Sequence, residues 1–405
     1  MQDEKIDEIL SRSVDTIYPS KEALKEVLLS GKKLRVYVGI DPTSDYVHLG
    51  HSTNYILLKR FHELGHTVIV LVGDFTATIG DPSDKSAVRI QLTEDDVRKN
   101  LETFKEQIGK VIDFYDEKNP VEFRFNSDWL AVLDLKKLTD IASSFTVQRM
   151  IERDVFRRRM KEGKPLYVHE FFYPLMQGYD SVALDADLEI GGTDQTFNML
   201  AGRDLVKKYL NKEKFVITTT LLENPKTGEK LMSKSLDTGI SLKSVPEDMY
   251  GRVMALPDET IVQCFIDCTT VPMADVEEIK KELAEGGNPR DIKMQLARNI
   301  VLMYHGEDMA NKAEEYFIKT FSRKETPEHM QEIRVPVGVL VGDALVSAKI
   351  IPSKSEWRRL VEGGGVHNLS NGSTITDINT AETKKPLEIK IGKRTFVRIL
   401  PSDGK

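Results

Sequence analysis

The chain has 405 residues, 40% hydrophobic and 30% charged, with a net charge of −7. This is a globular composition long enough for two or three domains, and no apolar run approaches the length of a membrane span. The acidic balance argues against a protein coated in nucleic acid. Residues 336–405 nevertheless carry +4 against −11 for residues 1–335, which points to local contact of the tail with a polyanion. The opening Met1-Gln2-Asp3-Glu4-Lys5 has neither an apolar signal core nor an Arg/Ser-rich transit character, so a cytoplasmic location is expected.

Leu34 to Val38 and Val68 to Val72 are near-continuous apolar runs, as expected for strands covered on both faces. Between them Leu57, Phe61 and Leu64 recur at helical spacing until Gly65 stops the helix. The result is a βαβ unit. Its first turn reads Gly39-Ile40-Asp41-Pro42-Thr43-Ser44-Asp45-Tyr46-Val47-His48-Leu49-Gly50-His51. A strand-to-helix junction presents unpaired N–H groups and the helix dipole to an anion, and it is where open α/β sheets bind nucleotides. Gly50 leaves room for a flat base, and His48 and His51 can donate to phosphate oxygens.

Just beyond, His62-Glu63-Leu64-Gly65-His66 spells the H-E-x-x-H of zinc proteases. That pattern needs both histidines on one continuous helix. Gly65 and the strand starting at Thr67 put His66 beyond the helix end, so no metal site is expected. Residues 93–163 are charged and periodic, with Leu101, Phe104, Ile108 and Ile112 on one stripe, and read as a helical insertion over about 85–165. In Tyr173-Pro174-Leu175-Met176-Gln177-Gly178-Tyr179-Asp180, a helix places Tyr173, Gln177 and Asp180 on one face. A strand at Leu188 to Ile190 leads into Gly191-Gly192-Thr193-Asp194-Gln195, and Val216 to Thr220 reads as the last strand. Glycines there allow close backbone approach to a nucleotide, and Asp194 can accept from ribose hydroxyls.

The catalytic part is thus expected over 1–225, followed by a mobile loop at 226–243 holding Leu231-Met232-Ser233-Lys234-Ser235. Residues 244–322 carry helical patterns. Cys264 and Cys268 lie one turn apart on an apolar face and are expected as buried free thiols. The polar, proline-punctuated stretch 323–337 reads as a linker. The tail 338–405 ends in short β-like segments around glycines.

Taken together, Gly39 to His51 and Leu231 to Ser235 resemble the paired signatures of the class I aminoacyl-tRNA synthetases. The resemblance is nearest to their tyrosyl members, of a second bacterial subgroup, and covers essentially the whole chain. It implies an α/β class: a Rossmann-like doubly wound parallel sheet with a helical insertion, then an all-α domain and a small α+β RNA-binding domain. The implied reaction is ATP-dependent activation of L-tyrosine to tyrosyl-adenylate and transfer to the 3′ end of tRNA(Tyr). The substrates would be L-tyrosine, tRNA(Tyr) and ATP with Mg2+, with no tightly bound cofactor, no membrane and a homodimer through the insertion helices.

By the same resemblance His48, His51, Lys230, Ser233 and Lys234 would handle the phosphates. Gly39, Asp41, Gly50, Gly192, Asp194 and Lys234 would bind ATP. Tyr173, Gln177 and Asp81 would hold the substrate ammonium, Tyr37 and Asp180 its phenol, and Gln195 the amino acid or adenylate. The chain departs from the family at Leu231, where lysine is common, and at Thr196, where tryptophan is common. Either Lys230 takes the place of the missing lysine, or the loop leans on Lys234 alone.

In the tail, Ser353 to Val366 resembles a small basic RNA-binding fold shared with a ribosomal small-subunit protein. Lys354, Arg358, Arg359, Lys393 and Arg394 would meet phosphates there. The departure is His367-Asn368-Leu369-Ser370, in place of the usual Val-Asn-Gly turn. A tryptophan-specific relative is disfavoured by Tyr37 with Asp180, and a non-catalytic RNA-binding paralogue by the intact His48, His51 and Lys234.

Overall fold

A computed structural model describes residues 2–83, 92–224, 226–228, 230–232, 238–322, 330–380, 386–392 and 395–402. The chain separates into two compact units, residues 1–244 with 252–306, and residues 245–251 with 307–405. The first is built on a six-stranded sheet of β1 (Val14–Tyr18), β2 (Arg35–Ile40), β3 (Thr67–Val72), β4 (Glu122–Phe125), β5 (Leu188–Gly192) and β6 (Phe215–Thr219). Their spatial order is β1-β6-β5-β2-β3-β4. The strands β6, β5, β2, β3 and β4 run parallel, and β1 closes one edge antiparallel to β6. The chain winds outward from β2 in both directions, through β3 to β4 and through β5 to β6. A crevice therefore opens beyond the carboxyl ends of β2 and β5, the switch point where α/β sheets take ligands.

Sequence dictates the two central strands directly. Val36 to Val38 and Val68 to Val72 are buried on both faces, and β-branched side chains pack well on such a pleat. The Leu49–Glu63 helix joins them and ends as expected, with Gly65 at φ +78° in the left-handed region. Past that turn His66 Nδ1 accepts the Leu34 N–H at 3.1 Å, whereas His62 Nε2 lies 2.6 Å from the Asn119 carbonyl oxygen. The two rings are committed to backbone groups on either side of the glycine, and the H-E-x-x-H spacing does not act as one face.

The helices Tyr173–Ala183 and Thr196–Leu210 flank β5 and pack tightly on each other. Gly178 permits this, since a Cβ there would lie 3.1 Å from the Gly202 nitrogen and 3.2 Å from the Ala201 carbonyl carbon.

Four expectations need correction. The insertion is not purely helical, because Glu122-Phe123-Arg124-Phe125 forms the edge strand β4 beside β3. The sheet is not wholly parallel, because β1 adds an antiparallel edge. The stretch 244–322 does not behave as one helical domain. Its Ile261–Cys268 helix packs on Leu49–Glu63, and Arg12 donates to the Phe265, Ile266, Thr269 and Val271 carbonyls at that helix end. Those contacts tie it to the first unit, while the Glu307–Phe317 helix belongs to the second. Cys264 and Cys268 are buried free thiols.

The fourth correction concerns the linker. Gln331–Pro336, the C-terminal part of the expected linker, is a strand, β7, of the small domain. With β8 (Val366–Asn368), β9 (Leu387–Ile391) and β10 (Thr395–Ser402) it makes a sheet in the order β7-β10-β9-β8, with β7 parallel to β10. Alternation decides this: Val335 is buried between the exposed Arg334 and Pro336. The helices Val341–Ser347 and Lys354–Glu362 accompany this sheet, and Trp357 is buried with its Nε1 donating to the Ile378 carbonyl at 2.9 Å. The altered turn is a longer loop, closed by Asn368 N–H to the Ser373 oxygen at 2.8 Å and by Gly372 at φ +72°. Among the described residues no helix is long and apolar enough to cross a membrane.

Candidate active site

A cavity of about 720 Å³ is lined by the last residues of β2 and β5 and the turns that follow them. Fourteen sequence-chosen residues border it: Tyr37, Gly39, Asp41, His48, Gly50, His51, Asp81, Tyr173, Gln177, Asp180, Gly192, Asp194, Gln195 and Lys230. Ser233, Lys234, Lys393 and Arg394 lie outside the described residues.

The junction after β2 forms one end. His48 has extended backbone and starts the Leu49–Glu63 helix, and its N–H donates to His51 Nδ1 at 3.3 Å. The two imidazoles stack with centroids 3.6 Å apart, side by side at a helix N-terminus. The Ile240 carbonyl accepts the Leu49 N–H and the Leu242 N–H donates to the Val47 carbonyl, so the segment after the signature loop is laced to this junction. A Cβ on Gly50 would stand 3.2 Å from both His48 ring atoms and Met232 Cβ, which leaves little space for any larger residue. Gly192 is more constrained, its Cβ position lying 2.6 Å from Asp194 Oδ1.

The other end is acidic and buried. Helical spacing brings Tyr173, Gln177 and Asp180 to the cavity as expected. Asp41 receives the Tyr173 hydroxyl on Oδ2 at 2.9 Å and the Thr76 hydroxyl on Oδ1 at 2.8 Å. Burial, reinforced by Asp41 and Asp81, pushes the Tyr173 phenol well up and keeps it a donor. Asp81 is held from both sides, by the Ser83 N–H at 2.8 Å and by Gln195 Nε2 at 2.7 Å. Asp180 accepts from Trp129 Nε1 at 2.7 Å and from Asn126 Nδ2 at 3.2 Å. Burial raises its carboxyl well above the usual range, and those two donors oppose the rise. The Tyr37 hydroxyl is 2.7 Å from Ser181 Oγ.

Sequence reasoning missed six participants. Trp129 and Asn126 orient Asp180, and Ser181 meets Tyr37. Arg153, buried between Phe156 and Phe197, donates to Ser83 Oγ at 2.6 Å and so braces the Asp81 turn. Glu189, which borders the cavity, and Lys214 behind it form a buried ion pair. One of the six left a readable trace: a glutamate between Leu188 and Ile190, in a strand buried on both faces, demands a buried partner.

With this geometry the comparisons are specific. The family model of class I tRNA synthetases (W and Y) matches residues 29–322. The chain is 44% identical to the tyrosine–tRNA ligase of Carboxydothermus hydrogenoformans over 97% of each chain. It is 41% identical to that of Thermotoga maritima over 98% of each. The chain belongs to the class I tyrosine–tRNA ligases. Its fold matches a C-terminally truncated mitochondrial tyrosyl-tRNA synthetase of Aspergillus nidulans, with TM-score 0.66 and 23% identity over 78% of this chain and 94% of that one. A tyrosyl-tRNA synthetase from Archaeoglobus fulgidus complexed with L-tyrosine aligns with TM-score 0.59 and 23% identity, covering 77% and 99%.

Both departures from the family can be placed in this ligase. Lys230 borders the cavity, its Nζ 3.7 Å from Asp194 Oδ2, while the Leu231 N–H donates to the Leu222 carbonyl at 2.9 Å. Thr196 donates its hydroxyl to the Thr193 carbonyl at 2.6 Å and tightens the turn before its helix. Burial raises the Asp194 carboxyl, and Lys230 opposes that rise. In the tail, Lys354 pairs with Asp343 at 2.8 Å and Arg359 with Glu356 at 2.6 Å, and Lys354, Arg358 and Arg359 are exposed.

Proposed function

We propose that this cavity activates L-tyrosine with ATP and that the enzyme then transfers tyrosine to the 3′ end of tRNA(Tyr). The observation that carries this reading is the convergence of an acidic, buried half-site with a paired-histidine helix N-terminus in one cavity. In the first step a tyrosine carboxylate oxygen attacks the α-phosphorus of ATP, and the bond to the departing pyrophosphate breaks. Two charged reactants need alignment and fixed donors rather than a protein nucleophile.

Tyr173, Gln177 and Asp81 take the ammonium, with Gln195 beside them. Asp180 and Tyr37 take the phenol. The phenol hydroxyl adds a donor to the buried Asp180 carboxylate beyond Trp129 and Asn126, and phenylalanine forfeits that hydrogen bond, which disfavours it. His48 and His51 face the phosphates, and Gly39, Asp41, Gly50 and Gly192 border the nucleotide. Asp194 accepts from the ribose. Lys230, with Ser233 and Lys234, follows the pyrophosphate, and Mg2+ accompanies ATP as part of the substrate.

Two further parts complete the proposal. Exposed Val132, Leu135 and Val147 on the insertion support a homodimer through that segment, and a monomer in sedimentation would refute it. The exposed basic helix of the tail, with Lys393 and Arg394, supports phosphate contact with tRNA. The deciding experiment for the activity is pyrophosphate exchange with tyrosine, tryptophan and phenylalanine. Exchange is expected with tyrosine alone, and tryptophan-dependent exchange would overturn the assignment.

A further inference from the structure

Beneath the tyrosine half-site lies a charged network that no candidate role absorbs. Lys214, the residue before β6, is fully buried, and its Nζ donates to Glu189 Oε2 in β5 and to the Met199 carbonyl at 3.2 Å. Gly202 makes the room, since a Cβ there would stand 2.7 Å from Nζ and 2.6 Å from Ser181 Oγ. The second carboxylate oxygen, Glu189 Oε1, accepts from Gln177 Nε2 at 3.1 Å. The amide's other end, Gln177 Oε1, is buried without a protein partner, and Gln177 borders the cavity.

We propose that the Lys214–Glu189 pair positions Gln177, by fixing which end of its amide meets the substrate. An ionised carboxylate only accepts, so the NH2 end of Gln177 must turn toward Glu189 and the carbonyl oxygen toward the cavity. That oxygen is the end an incoming ammonium needs, whereas the NH2 end repels it. A protonated or amidated residue 189 could donate as well as accept and would accommodate Gln177 in either orientation. Lys214 Nζ donates to Oε2 and leaves Oε1 as the acceptor that Gln177 meets. Burial lowers the Lys214 pKa and the carboxylate opposes that shift, as a pair matched within one enclosure requires.

The inference rests on the reading that Gln177 meets the substrate ammonium, and the test separates the two. Calorimetric titration compares tyramine, which has an ammonium and no carboxylate, with 3-(4-hydroxyphenyl)propanoate, which has the reverse. Lys214→Met and Glu189→Gln should each weaken tyramine binding roughly tenfold or more, the scale of a lost hydrogen bond to a charged group. Binding of the propanoate should change little, and both ligands carry the phenol, so any disturbance near Tyr37 affects them alike. The double variant Glu189→Gln/Lys214→Met leaves no lone buried charge and serves where a single variant does not fold. It should still discriminate against tyramine. Equal losses for the two ligands, or recovery of tyramine binding in the double variant, would reduce the pair to charge balance and overturn the proposal. Gln177→Ala is titrated alongside. Unchanged tyramine binding there removes the ammonium assignment and the proposal with it, whereas a loss confined to Gln177→Ala removes only the orienting role.

Discussion

His66 sits 4% exposed just past the left-handed turn at Gly65, its Nδ1 accepting the Leu34 N–H. Burial, aided by the charge of Lys33, lowers its pKa from 6.5 to about 4. The unfolded chain therefore binds the extra proton between those values and the folded one does not. Stability from this group is complete above pH 6.5 and falls as the pH drops toward 4. On the order of 2 kcal/mol should be lost between pH 7.5 and pH 5. Denaturant melts at the two pH values check this, and His66→Gln should show a smaller difference. At the same scale, much of the candidate site is legible in the amino-acid order alone. Tyr173, Gln177 and Asp180 follow from helical spacing, and His48 and His51 from a strand-to-helix junction. Asn126, Trp129, Ser181 and Arg153 are not legible, because polar residues on separate elements carry no local pattern that marks them as neighbours. Lys214 meets Glu189 only because β5 and β6 lie side by side.

Among the elements, the close contact of the Tyr173–Ala183 and Thr196–Leu210 helices positions three cavity-lining side chains at once. Gly178→Ala would push a methyl group against the Gly202 and Ala201 backbone, which cannot move aside as a side chain can. A loss of about 1–3 kcal/mol is expected, the range for overpacking, together with a higher KM for tyrosine. Thermal melting and exchange kinetics measure the two effects, and an unchanged midpoint would show that the helices separate freely. The central strands are legible because Val, Ile and Leu run through them without interruption. The edge strands are not. In β4 the Glu-Phe-Arg-Phe alternation sits inside a charged helical stretch, and in β1 Asp15 and Thr16 are exposed. An edge strand buries one side only, so its signal is half as strong.

For the whole molecule, the boundary of the small domain decides how it can be removed. A cut at 338 would strip β7 from β10, which pairs with it from Gln331 to Pro336. A chain ending at 329 should keep tyrosine-dependent exchange and lose tRNA charging efficiency, whereas retained charging would detach the tail from RNA contact. The same pairing recurs in the catalytic unit, where β1, the first strand, lies beside β6, the last. Both sheets are thus sewn shut by their final strand. During synthesis each sheet waits for its last strand to leave the ribosome, and the contact then made joins the two ends of the sheet's sequence, a slow kind of closure. A message broken inside either sheet yields a polypeptide with an open, pairing-ready edge. The enzyme therefore has few safe places to stop, and the point just ahead of β7 is one of them.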